Sequence, residues 1–165
     1  MGQLRTATRT LATLGLAPAD LLTRLDQIAA DLTDAETSAT CLYAICDPAT
    51  GSCDMASAGH PPPALACPGQ PAAFPDLPAG LPLGSGLPGG PYQSTRLRLP
   101  PGSTVLLYTD GLIEDPAADI STGMARLART LKSVSQLPVA DACDQLLAAL
   151  APRPADDIAI LLART

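Results

Sequence analysis

Two short stretches decide how this chain folds: Leu-Leu-Tyr-Thr-Asp-Gly at residues 106–111 and Asp-Asp-Ile-Ala-Ile-Leu at residues 156–161. Each is a run of aliphatic β-forming residues with a carboxylate at one end, which closes the first strand and opens the second. If the two strands pair antiparallel, Asp110 and Asp156 reach the same end of the sheet. Converging carboxylates repel each other unless a cation lies between them, and a hard divalent ion is the usual solution. The pattern therefore predicts a metal site, of a kind that can activate water for attack on a phosphate.

The bulk composition predicts a single globular domain. The chain has 165 residues, of which 47% are hydrophobic and 16% charged, enough to bury a substantial core. Aromatic residues make up only 2%, so the core must consist mainly of Leu, Ala, Val and Ile. The net charge of −6, without a basic stripe, argues against nucleic acid or an anionic membrane as partner. The sequence has neither a run of about 20 apolar residues nor a signal peptide, so we expect no membrane segment and a cytoplasmic location.

The cysteines predict neither a zinc site nor a disulfide framework. There are five, without a Cys-x-x-Cys pair, which is consistent with a reducing compartment. The turn signal Asp-Pro-Ala-Thr-Gly at 47–51 predicts a hairpin between strands 39–46 and 52–58, with Cys46 opposite Cys53. We interpret this pair as small core residues rather than as a disulfide. Strand 39–46 is apolar on both faces, which predicts that it is covered on both sides.

The remaining hydrophobic pattern predicts an α+β domain. Helical spacing of apolar residues indicates helices, and aliphatic runs bounded by Pro and Gly indicate strands. A loop rich in Pro and Gly at 68–91 is long enough to be functional or mobile. The order of the elements favours antiparallel sheets covered by helices. The predicted helices are 3–14, 18–32, 119–134 and 138–150, and the further predicted strands are 64–67, 92–99, 103–109 and 158–163.

Other polar residues have simpler interpretations. His60, the only histidine, precedes three prolines and is by default a loop residue, with a catalytic acid as the minority alternative. Gly84-Ser85-Gly86 is not a phosphate-binding loop, because no Lys-Ser/Thr follows it and no helix opens there. The basic residues on the predicted helix 119–134 most simply form a solvated face; they are Arg126, Arg129 and Lys132.

Four motifs together resemble the SpoIIE-type branch of the metal-dependent protein phosphatases, the protein phosphatase 2C superfamily. They are Ala-Ser-Ala-Gly-His-Pro-Pro-Pro at 56–63, Leu-Pro-Leu-Gly at 81–84, Leu-Leu-Tyr-Thr-Asp-Gly-Leu-Ile-Glu at 106–114 and Asp-Asp-Ile-Ala at 156–159. The motifs occur in the family's order and at plausible spacing. The resemblance covers essentially all of the chain.

The resemblance implies an α-β-β-α sandwich of antiparallel sheets flanked by helices, with a binuclear Mn²⁺ or Mg²⁺ site. Asp110 matches the metal ligand of the family's Thr-Asp-Gly motif, and Asp156 matches the first acid of its terminal Asp-Asp motif. Gly111 would let the backbone pass close to the metal, and Asp157 ranks behind Asp156 as a ligand. The implied reaction is one-step hydrolysis of phosphoserine or phosphothreonine on a bacterial regulatory protein, such as an anti-sigma-factor antagonist. No catalytic side chain beyond the metal ligands is implied, and the substrate-binding residues stay unassigned.

The chain also departs from the family pattern. The family's Gly-Asp-x-x-Asp and Asp-x-x-Gly-His-Gly motifs do not occur in this sequence, and no N-cap residue precedes the first predicted helix. We therefore expect residues 1–165 to be the C-terminal portion of the phosphatase domain, with sheet edges left for a second copy or an upstream segment. Two functions stay open: a metal-dependent phosphatase, or a catalytically inactive remnant that acts as a regulatory or interaction module.

Overall fold

The computed structural model has a mixed α+β fold, as the sequence predicts. The chain divides into two compact units, one made of Met1–Pro62 with Asp76–Arg98 and the other of Pro63–Pro75 with Leu99–Thr165. The structure describes residues 2–32, 38–114, 119–150 and 157–165, and these form four α-helices and two β-sheets.

The four predicted helices are confirmed, each within two residues of its predicted bounds. None of the helices formed by the described residues has the length and apolarity needed to cross a membrane. The predicted strands are also found, together with one further strand of two residues. In chain order the elements are α1 Gly2–Ala12, α2 Pro18–Leu32, β1 Cys41–Asp47, β2 Ser52–Ala58, β3 Ala64–Ala66, β4 Ala79–Gly80, β5 Thr95–Arg98, β6 Thr104–Tyr108, α3 Ile120–Val134, α4 Val139–Leu150 and β7 Ile160–Arg164.

The first unit is built around β2. This strand pairs antiparallel with β1 and β5 and parallel with β4. Helix α2 packs on β1 and β2, and α1 packs on α2 through half-buried apolar residues. The buried stripe of α2 faces Ala56 and Ala58 of β2; its members are Leu21, Leu22, Leu25 and Ala29.

Strand β1 is less buried than predicted. Among the described strands it pairs only with β2, so it lies at the edge of the sheet. Its first four residues are half-buried and its last three exposed, with Ile45 44% accessible to solvent. The expectation of cover on both faces was wrong, because an apolar run does not by itself show that another layer packs on each face of the strand.

The hairpin brings Cys46 opposite Cys53 as predicted, but the interpretation of this pair as core residues was wrong. The two residues are paired in the β1–β2 register, with a Cα–Cα distance of 4.0 Å, and the structure joins them by a disulfide. Only Cys53 is buried, whereas Cys46 is exposed. Directly opposite side chains share one face of a sheet, which brings the two sulfur atoms within bonding reach.

The second unit is built around β6, which pairs antiparallel with β3 and β7. Helix α3 packs on β3, and α4 packs on β7. Strands β5 and β6 follow each other across Pro100-Pro101-Gly102 but belong to different sheets. The core of this unit is aliphatic apart from Tyr108; its largest buried members include Leu106, Leu112, Ile113, Leu127, Leu131 and Leu146.

Candidate functional site

The two strands that the sequence singled out are neighbours. β6 and β7 pair antiparallel, with Tyr108 opposite Ile160 and Thr104 opposite Arg164. Asp110 follows β6 and Asp157 precedes β7, so both residues lie at the same end of this strand pair. Asp156 lies outside the described residues.

Thr109 joins the two chain segments at this end. Its backbone N–H donates to the carbonyl of Ala159 at 3.0 Å, and its hydroxyl Oγ1 accepts from the Ala159 N–H at 2.9 Å. The same hydroxyl donates to the carbonyl of Asp157 at 3.2 Å. Thr109 therefore extends the pairing beyond the strands and holds the main chain that leads into β7.

Asp110 combines a fixed backbone with an exposed carboxylate. It opens a single 3₁₀ turn, Asp110–Leu112, and its carbonyl accepts from the N–H groups of Ile113 at 2.8 Å and Glu114 at 3.0 Å. Within the described part of the chain, its carboxylate accepts one hydrogen bond, from the N–H of Gly111 at 3.0 Å. The residue is exposed, so its carboxylate is accessible to a ligand.

Helix α3 supports the turn that carries Asp110. Gly123 packs so closely on the turn that a Cβ at this position would overlap the carbonyl oxygen of Ile113. Asp119 caps α3, because its Oδ1 accepts from the N–H of Thr122 at 3.0 Å. Hydrogen bonds from the Ser121 hydroxyl and then from the Thr122 N–H lower the pKa of Asp119. The sequence signals for these two roles are a glycine in the first turn of a predicted helix and an Asp-x-x-Thr cap.

The donor chemistry at this end suits a hard divalent cation. Asp110 and Asp157 are both exposed and offer carboxylate oxygens, which are the preferred ligands of Mg²⁺ and Mn²⁺. Among the described residues, no group of three or more His, Cys, Asp or Glu side chains converges on one point. The sequence ranks Asp156 ahead of Asp157 as a ligand, and Asp156 lies outside the described ranges.

Comparison with known proteins identifies the family. The SpoIIE family, described as stage II sporulation protein E, matches residues 1–165. The chain belongs to the SpoIIE family. The structure of the RsbU and RsbW domains of Rv1364c from Mycobacterium tuberculosis is 31% identical over 100% of this chain, with a TM-score of 0.83. This chain covers 49% of that one, so it spans about half of its length.

Two further solved structures share the fold. The SiaA-PP2C domain of Pseudomonas aeruginosa is 21% identical, with a TM-score of 0.75, over 98% of this chain and 67% of its own. RsbX in complex with magnesium is 19% identical, with a TM-score of 0.70, over 97% of this chain and 71% of its own. The α+β fold of this chain is thus that of the protein phosphatase 2C-type domains.

His60 belongs to another of the family motifs and lies in the first unit. The hydroxyl of buried Ser57 donates to the His60 carbonyl at 2.9 Å and accepts from the His60 N–H at 3.2 Å. The ring nitrogen Nδ1 lies 3.4 Å from Oγ1 of Thr40. Gly59, with a φ of +69°, packs against Pro82, and any side chain at Gly59 would collide with that ring. The chain therefore turns at Gly59 and His60 directly after β2, in agreement with the default interpretation of His60 as a loop residue.

The interpretation of the α3 cations as a solvated face was only partly right. Arg129 is exposed, but Arg126 and Lys132 are half-buried. Nζ of Lys132 donates to the Cys67 carbonyl at 3.4 Å, and Nη2 of Arg126 donates to the Leu150 carbonyl at 3.4 Å. Their long aliphatic stems let them cover apolar surface while the charged ends bond to the main chain.

Proposed function

We propose that this chain is the C-terminal portion of a metal-dependent serine/threonine phosphoprotein phosphatase domain that acts in bacterial sigma-factor regulation. Membership of the SpoIIE family supports the reaction class. The observation that carries the proposal is the antiparallel β6–β7 pairing, because it places Asp110 and the segment that enters β7 at one end of the sheet.

We propose Asp110 and Asp156 as the metal ligands, with Gly111 as the adjacent backbone and Asp157 ranked behind Asp156. The ion would be Mn²⁺ or Mg²⁺, since the ligands are carboxylates, and the fold relative RsbX was solved in complex with magnesium. When bound, such an ion supplies Lewis-acid chemistry, which polarises a phosphoryl oxygen and acidifies water. In the complete family domain the site would be binuclear.

The residues of this chain would hold and orient the reacting groups. The 3₁₀ turn fixes the backbone of Asp110, which would set the position from which its carboxylate reaches a cation. Thr109 binds Ala159 and the carbonyl of Asp157, which keeps the start of β7 beside that turn. The exposed position of the site leaves room for a phosphorylated side chain of a protein substrate.

The substrate we propose is a phosphorylated regulatory protein of the anti-sigma-factor antagonist type. The relative from Mycobacterium tuberculosis carries an RsbU domain together with an RsbW domain, which supports regulatory proteins as partners. A second copy or an upstream segment would complete the domain, and we propose a cytoplasmic location. Nucleic acid and membranes are not among the proposed partners.

The decisive experiment is Mn²⁺-dependent hydrolysis of an aryl phosphate by the 165-residue chain. Asp110→Asn should abolish the activity, because the amide keeps the shape but removes the negative charge that binds the ion. The matched control is Asp144→Asn, an exposed acid on α4 outside the proposed site, which should keep the parent rate. Equal activity of the Asp110→Asn variant and the parent would refute the assignment of Asp110.

Calorimetry with Mn²⁺ separates the proposed phosphatase from an inactive interaction module. Micromolar binding by the chain, lost in Asp110→Asn, supports the metal site. A folded chain that binds no Mn²⁺ and hydrolyses no phosphate would instead favour the module that lacks the upstream ligands.

A further inference from the structure

The Leu81–Gly84 motif has no role in the proposed chemistry, yet the structure ties it to helix α2. The N–H of Gly84 donates to Oδ1 of Asp26 at 2.8 Å, across 58 positions of sequence. Leu83 and Gly84 are buried, and Asp26 is half-buried on α2. Hydrogen bonds to carboxylates are about twice as strong as those between neutral groups. The bond is therefore a strong point of attachment between the helix and the loop.

The same segment returns to α2 at its other end. The hydroxyl of Ser94 accepts from the N–H of Ala19, in the first turn of α2, at 3.0 Å. The hydroxyl of Tyr92 donates to the Leu81 carbonyl at 3.0 Å, which closes the segment on itself. Burial and then the Asp26 carboxylate raise the pKa of Tyr92 to about 12. The segment is therefore held to α2 near both of its ends.

Between these anchors the segment runs through solvent. Residues 86–91 are all exposed, and Leu87 is 63% accessible. By contrast, Leu83 is locked by two backbone hydrogen bonds with Ala39, at 2.8 and 3.0 Å. We call residues 81–94 the strap: its ends are attached to the first unit, and its middle is free to contact other molecules.

We propose that Asp26 makes α2 and the strap one cooperative unit, so that local opening of either one is coupled to the other through the Asp26–Gly84 hydrogen bond. The coupling acts in both directions, so a contact that stabilises the strap also stabilises α2 against local opening. The Leu81–Gly84 motif then serves as the contact between helix and strap rather than as a ligand site.

Amide hydrogen exchange of the 165-residue chain tests this coupling. Asp26→Ala removes the acceptor while favouring the helix, so it should accelerate exchange at Gly84 by roughly tenfold to a hundredfold. Exchange should rise in α2 and in the strap together, and it should stay at the parent level in α3 and α4. Asp31→Ala is the matched control, since Asp31 is an exposed residue of the same helix, and it should leave the strap unchanged.

Two conservative variants keep the test decisive if Asp26→Ala does not fold. Asp26→Asn retains a neutral acceptor and should restore part of the protection at Gly84. Tyr92→Phe removes only the hydroxyl and should give a smaller rise confined to the strap and α2. Parent-like exchange at Gly84 in Asp26→Ala, or a rise in α2 without one in the strap, would overturn the proposal.

Discussion

The β6–β7 strand pair differs sharply between its two ends. At the end near Thr104, Nη2 of Arg164 donates to the carbonyls of Ser135 at 2.7 Å and Leu137 at 2.8 Å, and its Nε donates to the Thr104 hydroxyl at 3.3 Å. At the other end, the carboxylate of Asp110 is exposed and accepts one hydrogen bond within the described residues, from its own neighbour. One end uses its charge to hold the fold together, while the other keeps its charge available.

Both ends nevertheless use a threonine in the same way. Thr109 bridges to Ala159 and Asp157 at the Asp110 end. At the Arg164 end, the hydroxyl of Thr165 accepts from the N–H of Ser103 at 3.1 Å and donates to the Pro100 carbonyl at 3.0 Å. The backbone is thus held equally at both ends, so the difference lies in the charged side chains. A charged side chain that is exposed and contributes little to holding the fold together is the better candidate for function.

The largest expected effect comes from disturbing the contact between helix α3 and the turn that carries Asp110. Gly123→Ala places a methyl group against the Ile113 carbonyl, so α3 must move away, at a cost of about 3 kcal/mol in unfolding free energy. Urea unfolding measures the loss. Gly90→Ala is the control, because a Cβ there meets no atom within 4 Å. A parent-like free energy of unfolding for Gly123→Ala would mean that α3 does not support the Asp110 turn.

The next prediction compares how much the charged side chains of Arg164 and Asp110 contribute to the free energy of unfolding. Arg164→Ala should cost about 2 kcal/mol of unfolding free energy, because two carbonyls lose a charged donor. Asp110→Ala should stay within about 0.5 kcal/mol of the parent, since its carboxylate is exposed. Arg164→Lys should fall between the parent and Arg164→Ala, because an ammonium cannot reproduce the planar fork. Equal costs for Arg164→Ala and Asp110→Ala in urea unfolding would remove the proposed contrast.

A smaller effect is expected from the two threonines. Thr109→Val and Thr165→Val each keep the side-chain shape and should each cost about 1 kcal/mol, since each removes a hydroxyl that donates one hydrogen bond and accepts another. Only Thr109→Val should also weaken Mn²⁺ binding, because it loosens the segment beside Asp110. Urea unfolding and calorimetry on both variants check this. If Thr165→Val weakened Mn²⁺ binding as much, the effect would be global rather than local.

Much of this architecture could be predicted from local pattern. Helix α2 and strand β2 have the predicted bounds, and the turn at 47–51 gave the correct Cys46–Cys53 register. These features depend on residues close in sequence, where periodicity and turn chemistry act directly. The predicted metal site depended on the condition that β6 and β7 pair antiparallel, and that condition is met.

Pairing between distant segments was harder to predict. Nothing in the pattern of β5 and β6 indicates that a Pro-Pro-Gly turn separates two sheets rather than joining two strands of one. The parallel partner β4 has two residues, too few for any periodicity. The link from Arg164 to Ser135 and the contact between Gly123 and Ile113 depend on three-dimensional neighbours, which a single sequence does not reveal. The proposed ligand set of Asp110 and Asp156 stays a prediction.

The smallest effect concerns acid sensitivity at the Asp110 end, where Asp119 caps the helix that supports the turn. Its pKa in the folded protein lies below the unfolded value of about 3.9, because Ser121 and Thr122 donate hydrogen bonds to the carboxylate. The stabilisation is therefore present above about pH 4 and is lost as the pH falls through the folded pKa. Asp119→Asn keeps a capping oxygen but cannot titrate, so its unfolding free energy should match the parent more closely at pH 3 than at pH 7. Urea unfolding at both pH values measures this, and a parent–variant difference that does not change with pH would show that the cap carries no pH dependence.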